Sequence, residues 1–217
     1  MNNFSCEQND VADIQYYIEM DKRYRSPGHL MAKKLNLILT MLKPNSRLID
    51  IGSGTGELLV RASDRYDELV GIENNENAVN FAAGKTENIS KIKLINNRNG
   101  KIPFPDEYFD DATCLDVIEH MRDPGECLSE IWRVLKPQSQ LIVTVPNWYD
   151  IINIRLFNKN SFHVQAHSPC GWINILESVG FKKITWRAVD FPILHSETLS
   201  KHLAIFGMCI LILLKKP

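Results

Sequence analysis

The residues RLIDIGSGTGE, numbered 47–57, join a short apolar run to three glycines in alternate positions. The apolar run is typical of a buried parallel β-strand, and a helical pattern follows the glycines. Glycine allows a tight turn and lets a ligand approach the backbone, and free N–H groups at a helix start favour a negative or polar ligand group. The stretch therefore predicts a strand, a ligand-binding loop and a helix, although a plain glycine turn has the same pattern.

Strand and helix patterns alternate on either side of this unit. The strand patterns occupy residues 47–52, 68–73, 91–96, 109–117, 140–146, 182–190 and 204–214. Helical patterns separate most of them, which predicts the α/β class, with a doubly wound, seven-stranded, mostly parallel sheet and helices on both faces. No convincing helix separates the last two strands, so they are expected to pair at one edge of the sheet, with the last strand antiparallel. The loops after the first four strands are expected to converge on one crevice, where such sheets bind ligands.

Length and composition are those of one globular domain. The chain has 217 residues, of which 44% are hydrophobic and 24% charged, and a net charge of −1. These values exclude a mainly disordered chain and argue against a dedicated nucleic-acid binder. We expect a single domain over residues 1–217. Its predicted parts are an N-terminal helical lid at 1–45, a cofactor-binding core at 46–146, an active-site insertion at 147–167, and a C-terminal helix with the last strands at 168–217.

Cysteines and apolar runs bear on location. The five cysteines are scattered and include no Cys-x-x-Cys pair, which favours a reducing, cytoplasmic setting over a disulfide scaffold. No apolar stretch follows a basic start at the N-terminus, so no secretory signal is expected. The longest apolar run, Leu203 to Leu214, has 12 residues and is too short for a transmembrane segment.

Glu73 ends the second predicted strand, 23 residues after Asp50. An acid at this place can accept hydrogen bonds from both hydroxyls of a ribose, so the first two loops suit a nucleoside; alternatively, Glu73 caps the next helix. A dinucleotide fingerprint needs Gly-x-Gly-x-x-Gly, but Glu57 stands in the place of its third glycine, and the chain has no P-loop pattern. An NAD(P)-dependent Rossmann oxidoreductase is therefore the weaker alternative.

Four separated motifs together resemble a known family. They are the loop from Asp50 to Gly56, the acid Glu73, the segment IPFPDEYFDDATCLDVIEHMRDP at 102–124, and the helix that ends in SVGF at 178–181. The likeness is to the class I S-adenosylmethionine-dependent methyltransferases, and within them to the small-molecule branch (methyltransferase type 11) typified by ubiquinone and menaquinone biosynthesis methyltransferases. It implies a Rossmann-like fold and methyl transfer from S-adenosyl-L-methionine to an O, N or C atom of a small-molecule acceptor. A homodimer is compatible with it.

The same resemblance implies the site residues. The cofactor is expected to contact Asp50, Gly52, Ser53, Gly54, Gly56, Glu73, Asn74, Asn97, Asn99 and Asp116. Asp50 would help hold the cofactor's amino group, and Glu73 would bind its ribose. Asn97 or Asn99 would replace the acid that the family usually places near the adenine.

Asp116 and His120 are the expected catalytic residues. Asp116 ends the fourth strand, where the transferable methyl should point, and histidine suits acid–base chemistry near neutral pH. Alternatively, His120 makes a structural hydrogen bond at a helix start. The remaining alternative is a non-catalytic cofactor-binding module, whose cofactor site would be expected to degrade.

The residues around 147–169 form a long connection, which is typical of an active-site lid. The N-terminal side chains that could close over the same crevice are Tyr16, Tyr17, Tyr24 and Arg25. The connection itself carries Trp148, Tyr149, Phe157, Phe162, His163 and His167. Its two histidines are four residues apart, but no third ligand lies nearby in sequence, so no metal site is predicted.

Overall fold

The computed structural model describes residues 14–147, 164–165, 167–189 and 209–217. Expectations that rest on Cys6, on most of the 147–167 insertion, or on Trp148, Tyr149, Phe157, Phe162 and His163 lie outside these residues. Within the described part, no helix is both long and apolar enough to cross a membrane.

Helices and strands alternate along the chain. The helices are α1 Ile14–Arg25, α2 Leu30–Met41, α3 Glu57–Ala62, α4 Glu76–Thr86, α5 Gly125–Val134 and α6 Pro169–Ser178. The strands are β1 Asn45–Ile51, β2 Tyr66–Glu73, β3 Ile92–Asn96, β4 Phe109–Leu115, β5 Leu135–Pro146, β6 Lys182–Val189 and β7 Cys209–Lys215. A 3₁₀ turn, Ile118–His120, follows β4.

The strands form one seven-stranded sheet in the order β3-β2-β1-β4-β5-β7-β6. The first five pair in parallel, and β7 is antiparallel to both β5 and β6. The predicted α/β class and antiparallel last strand are therefore confirmed. The sequence explains why β7 lies inside and β6 at the edge, because β7 is an almost continuous buried apolar run, whereas β6 begins with exposed lysines.

Helices cover both faces of the sheet, as predicted. On one face, α2 and α3 contribute to a cluster that includes Leu35, Ile38 and Leu59. On the other face, α5 and α6 contribute Leu128 and Trp172 to a second cluster. The sheet is thereby buried between two helical layers, which fixes where the strand ends and their loops can meet.

The order of the strands creates a switch point beside β1. This strand pairs with β2 on one side and with β4 on the other. The chain therefore leaves β1 in one direction along the sheet and returns to its other side, and the loops after β1 and β4 separate. A crevice at the carboxyl ends of these strands is the consequence.

Several predicted boundaries differ from the structure. The helix that follows the glycine loop begins at Glu57, because Gly56 has a left-handed backbone with φ 70° and lies outside the helix. The strand predicted at 140–146 begins at Leu135, directly after α5, and its pairing with β4 shifts register between Phe109 and Asp111. The first residues of this strand are mostly polar, so the hydrophobic pattern does not indicate where the strand begins.

Candidate active site

A cavity of about 480 Å³ lies at the carboxyl ends of β1, β2 and β4. All four loops after the first four strands reach it, as expected. The loop residues that line it include Asp50, Gly52, Ser53, Gly54, Thr55, Glu57, Glu73, Asn74, Asn97, Asp116, Glu119 and His120. The opposite wall consists of Tyr16, Tyr17, Met20 and Tyr24 from α1 and Met31, Lys34 and Leu35 from α2. Cys209, at the start of β7, also contributes.

The glycine loop requires its glycines. Gly52, Gly54 and Gly56 have φ angles of 71°, 49° and 70°, in the left-handed region that favours glycine. A Cβ on Gly52 would also overlap Val117 Cγ2. The predicted Gly52 and Gly54 line the cavity, whereas Gly56 makes the turn into α3 without being among the lining residues.

Glu73 links the loops after β1 and β2. Its Oε2 accepts a hydrogen bond from the Gly54 backbone N–H at 3.0 Å. Its Oε1 accepts from the backbone N–H groups of Asn74 and Asn75 at 2.8 and 2.9 Å. The carboxylate therefore does bind backbone groups just before α4, while the N-cap of α4 itself is Asn75. Because Glu73 also lines the cavity, the structural and ligand-binding interpretations are compatible.

Asp50 is buried at the end of β1, facing the cavity. Thr113 Oγ1 donates a hydrogen bond to its Oδ1 at 2.6 Å. Burial raises the pKa of Asp50 to about 7, outweighing the hydrogen bond from Thr113, and the negative charge of Glu73 raises it further. A cation brought to this carboxyl would favour its ionised form.

Two hydroxyls in the glycine loop have no hydrogen-bond partner in the described part of the chain. They belong to Ser53 and Thr55, which are buried and line the cavity. Buried hydroxyls usually find a partner, so an unpartnered pair at a cavity wall suits a polar ligand group. The sequence predicted Ser53 but not Thr55, although both lie within the same motif.

Of the two asparagines in the loop after β3 that were predicted to contact the cofactor, only one lines the cavity. Asn97 is buried and lines the cavity, but its side chain also braces its own loop. Its Oδ1 accepts from the Asn99 backbone N–H and its Nδ2 donates to the Lys101 carbonyl, both at 3.0 Å. Asn99 is exposed and is not among the described lining residues. The predicted Asn74 lines the cavity beside Glu73.

Asp116 forms an ion pair with Lys34 of α2. Its φ of 55° is left-handed, and Thr144 Oγ1 donates to its Oδ1 at 2.8 Å. Burial raises the pKa of Asp116, but the Lys34 ammonium and these hydrogen bonds outweigh burial and hold the pKa below its ordinary value. Burial likewise lowers the pKa of Lys34, and the Asp116 carboxylate raises it above its ordinary value. The pair is thus charged on both sides.

The 3₁₀ turn after β4 places two further side chains at the cavity. Glu119 is 1% exposed, and His120 is partly buried. Glu119 Oε1 and His120 Nε2 lie 3.9 Å apart, which is too far for a hydrogen bond. His120 lies close to the end of β4, as predicted, together with Asp116.

A buried charge network holds α1 against the core. Lys85 of α4 pairs with Asp21 of α1 and, at 2.5 Å, with Glu57 of α3. Arg61 also binds Glu57, at 2.7 Å. Arg25, expected near the cofactor, instead pairs with Asp21 at 2.9 Å and is not among the described lining residues. The network explains how the tyrosines of α1 are held over the cavity.

No group of three or more His, Cys, Asp or Glu side chains suited to a metal occurs in the parts of the chain that the structure describes. His167 Nε2 lies 2.9 Å from Gln165 Oε1, and its ring packs edge-on against Trp172. The other histidine of the spaced pair, His163, lies outside the described residues.

Sequence reasoning missed Lys34, Thr55 and Cys209. Lys34 occupies a polar position of an amphipathic helix, where nothing in the local pattern indicates that it meets Asp116. Cys209 Sγ lies 3.8 Å from Asp116 Oδ1, a contact that depends on β7 being inserted beside β5. Of these three residues, only Thr55 could have been predicted from the sequence, since it lies between two of the motif's glycines.

Comparisons with known proteins agree with this geometry. Residues 49–143 match the family model described as a methyltransferase domain. The ubiquinone/menaquinone biosynthesis C-methyltransferase UbiE of Vibrio cholerae is 26% identical over 143 residues, covering 63% of this chain and 55% of that protein. The chain therefore spans only about half the length of that curated relative.

Solved structures share the fold at low identity. A SAM dependent methyltransferase from Aquifex aeolicus matches with a TM-score of 0.68 and 19% identity, covering 94% of this chain and 99% of that chain. The cyclase SpnF matches with a TM-score of 0.66 and 20% identity, covering 86% and 81%. At these identities the likeness shows the fold alone, and the cyclase shows that one fold hosts different reactions. The family match, the UbiE relative and the shared fold together support a class I S-adenosylmethionine-dependent methyltransferase domain, and the family model matches this chain at residues 49–143.

Proposed function

We propose that this chain transfers a methyl group from S-adenosylmethionine to an O, N or C atom of a small-molecule acceptor. The observation that carries the proposal is the convergence of the glycine loop, the Glu73 carboxylate and two unpartnered hydroxyls on one cavity. A small acceptor is supported by the name of the UbiE relative, a C-methyltransferase of quinone biosynthesis.

The residues present fit the cofactor. Asp50 offers a buried carboxyl to an ammonium group, and the Ser53 and Thr55 hydroxyls can donate to a carboxylate. A carboxylate has about four lone-pair sites, and three backbone N–H groups already bind Glu73. Binding two ribose hydroxyls there therefore requires Glu73 to release or share at least one of these N–H groups.

When bound, S-adenosylmethionine supplies an electrophilic methyl on a positively charged sulfur. The chain's own task is then to hold the acceptor in line and to exclude water, and positioning alone can be worth about 7–11 kcal/mol. Tyr16, Tyr17 and Tyr24 cover the cavity from α1, which suits this task.

The two predicted catalytic residues take different parts in this proposal. Asp116 is ion-paired with Lys34 and its pKa lies below its ordinary value, so it is a weak base and suits orientation of the acceptor. His120 also faces the cavity and is the candidate to accept a proton at an imidazole nitrogen from an O–H or C–H acceptor.

The two alternatives predict different binding. A dinucleotide enzyme would need to accommodate a pyrophosphate beside Glu57, whose carboxylate is buried at the cavity next to the glycine loop. A non-catalytic module would bind the cofactor without turnover. Isothermal titration calorimetry with S-adenosylhomocysteine and with NAD, followed by an assay for methyl transfer, separates the three cases.

A matched pair of variants tests the ribose contact. Glu73→Ala is expected to weaken S-adenosylhomocysteine binding about 10- to 100-fold, since hydrogen bonds to a charged group contribute about 1.5–3 kcal/mol. Glu76→Ala, an exposed acid in the first turn of α4, serves as the control and should change binding less than about twofold. Equal affinities of the two variants would show that the ribose lies elsewhere.

Location and assembly belong to the same proposal. A cytoplasmic setting is supported by three cysteines of the described part that form no disulfide there, Cys114, Cys127 and Cys170. A homodimer stays a prediction, and light scattering tests it. An acceptor other than nucleic acid is supported by the net charge of −1.

A further inference from the structure

Glu119 combines deep burial, a place in the cavity wall and an unsatisfied oxygen. Its side chain is 1% exposed, yet it lines the cavity beside Val117 and His120. Glu119 Oε2 has no hydrogen-bond partner among the residues that the structure describes. A buried polar atom without a hydrogen-bond partner either destabilises the folded protein or forms its hydrogen bond with a ligand.

Apart from His120, whose Nε2 lies 3.9 Å from Glu119 Oε1, the charges around Glu119 favour its neutral form. Asp116 adds negative charge, and the Lys34 ammonium is already paired with Asp116. Cys114 of β4 faces it as a neutral thiol, because burial raises the Cys114 pKa. Burial and the charge of Asp116 likewise hold the pKa of Glu119 well above its ordinary value. A neutral carboxyl carries one O–H donor.

We propose that Glu119 donates a hydrogen bond from its carboxyl into the cavity and selects acceptors that present an oxygen there over acceptors that present an amine. A carbonyl, phenolate or enolate oxygen can accept this bond. A protonated amine would instead meet the Lys34 ammonium, with the Asp116 carboxylate already engaged. The inference rests on the proposed function only in treating this end of the cavity as the acceptor site.

Infrared spectroscopy of the ligand-free protein tests the neutral carboxyl directly. At pH 7 the wild type should show a carboxylic-acid C=O band that is lost in Glu119→Gln and retained in Asp50→Asn. Labelling with ¹³C-glutamate should shift the same band without any substitution, which covers the case in which the variant does not fold. A spectrum without a glutamic-acid band would overturn the proposal.

Ligand probes test the donor role. With S-adenosylhomocysteine present, 4-nitrophenol should move the Glu119 band to lower frequency, and 2-phenylethylamine should bind about tenfold more weakly. Glu119→Leu should weaken 4-nitrophenol binding about tenfold, whereas Glu119→Gln, which keeps a donor, should stay within about threefold. A band unmoved up to the solubility limit of the phenol, or equal binding of the two probes, overturns the proposal.

The two proposals fail separately. If S-adenosylhomocysteine does not bind, the proposed function fails, and the infrared band of the ligand-free protein still decides whether Glu119 is a neutral donor. If the cofactor product binds but the band is absent, only the role of Glu119 is lost.

Discussion

Lys34 and Asp116, 82 residues apart in sequence, form an ion pair inside the cavity. The contact joins α2 to the carboxyl end of β4, where Asp116 has a left-handed backbone conformation. It therefore connects the N-terminal helices to the part of the cavity that lies at the end of β4.

Lys34→Met is expected to lower the free energy of unfolding by about 1.5–3 kcal/mol, because it removes the cation that is hydrogen-bonded to the partly buried Asp116 carboxylate. Urea denaturation at pH 7 measures this. Lys33→Met, at the exposed neighbouring position, should change stability by less than about 0.5 kcal/mol. Equal midpoints for the two variants would mean that the ion pair is not formed in solution.

The same pair predicts a dependence on acid. Since the folded-state pKa of Asp116 lies below its ordinary value, its contribution to stability is fully present above about pH 4 and is lost as the pH falls through the folded pKa. Lys34→Met should flatten this part of the stability–pH curve. If the stability of Lys34→Met fell as steeply in acid as that of the wild type, the Lys34 ion pair would not be the cause of the acid dependence.

Asp50 should release a proton when the cofactor binds. Its folded pKa of about 7 leaves it largely protonated at pH 6, and an ammonium group placed beside it favours ionisation. Calorimetry of S-adenosylhomocysteine binding in two buffers of different ionisation enthalpy should therefore show proton release at pH 6 that disappears by about pH 9. Asp50→Asn should bind without this release.

The raised pKa of Asp50 also has a consequence without ligand. Because the folded state holds the proton more tightly than the unfolded state, stability is fully present below about pH 4 and falls as the pH rises to about 7. Asp50→Asn should remove this decline. If the stability of the wild type instead rose over the same pH interval, and Asp50→Asn followed the same curve, the raised pKa of Asp50 would be contradicted.

Gly52→Ala should destabilise the protein. The left-handed φ of 71° and the overlap with Val117 together are expected to cost about 1–3 kcal/mol. Adding Val117→Ala should recover part of this cost, since it removes the overlapping methyl group. Gly84→Ala, at an exposed position in the last turn of α4, should instead stabilise by about 0.5–1 kcal/mol. Thermal unfolding checks all three, and equal effects at Gly52 and Gly84 would contradict this account.

Lys85→Met should loosen α1. It removes the cation that Asp21 and Glu57 share, at a cost of about 1.5–3 kcal/mol, while the pairs with Arg25 and Arg61 remain. Hydrogen exchange should then rise most in residues 14–25. Lys22→Met removes only the exposed pair with Glu19 and should change stability by less than about 1 kcal/mol. Unchanged protection of α1 in Lys85→Met would show that packing alone holds this helix.

The sequence predicted those features of the fold that depend on residues close together in the chain. The glycine loop, the position of Glu73 and the convergence of four loops follow from a strand–loop–helix repeat and the geometry of parallel sheets. The insertion of β7 between β5 and β6 was not predicted, although its continuous apolar run is consistent with it. Patterns of this kind carry no information on which distant side chains meet.

The less predictable features are long-range polar contacts. Lys34 reaches Asp116 and Lys85 reaches Glu57 from different helices, and in each case the sequence shows only a charged residue on a helix. The choice between Asn97 and Asn99 likewise depended on a turn in which Asn97 Oδ1 accepts from the Asn99 backbone N–H. Tertiary packing decides such pairings, and single-residue propensities do not encode them.

The most direct test is a crystal structure of the complex with S-adenosylhomocysteine. The account predicts both ribose hydroxyls within hydrogen-bond distance of the Glu73 carboxylate, with the amino-acid end between Asp50 and the Ser53 and Thr55 hydroxyls. A nucleoside bound away from Glu73, or a cavity that stays closed to the ligand at saturating concentration, would contradict it.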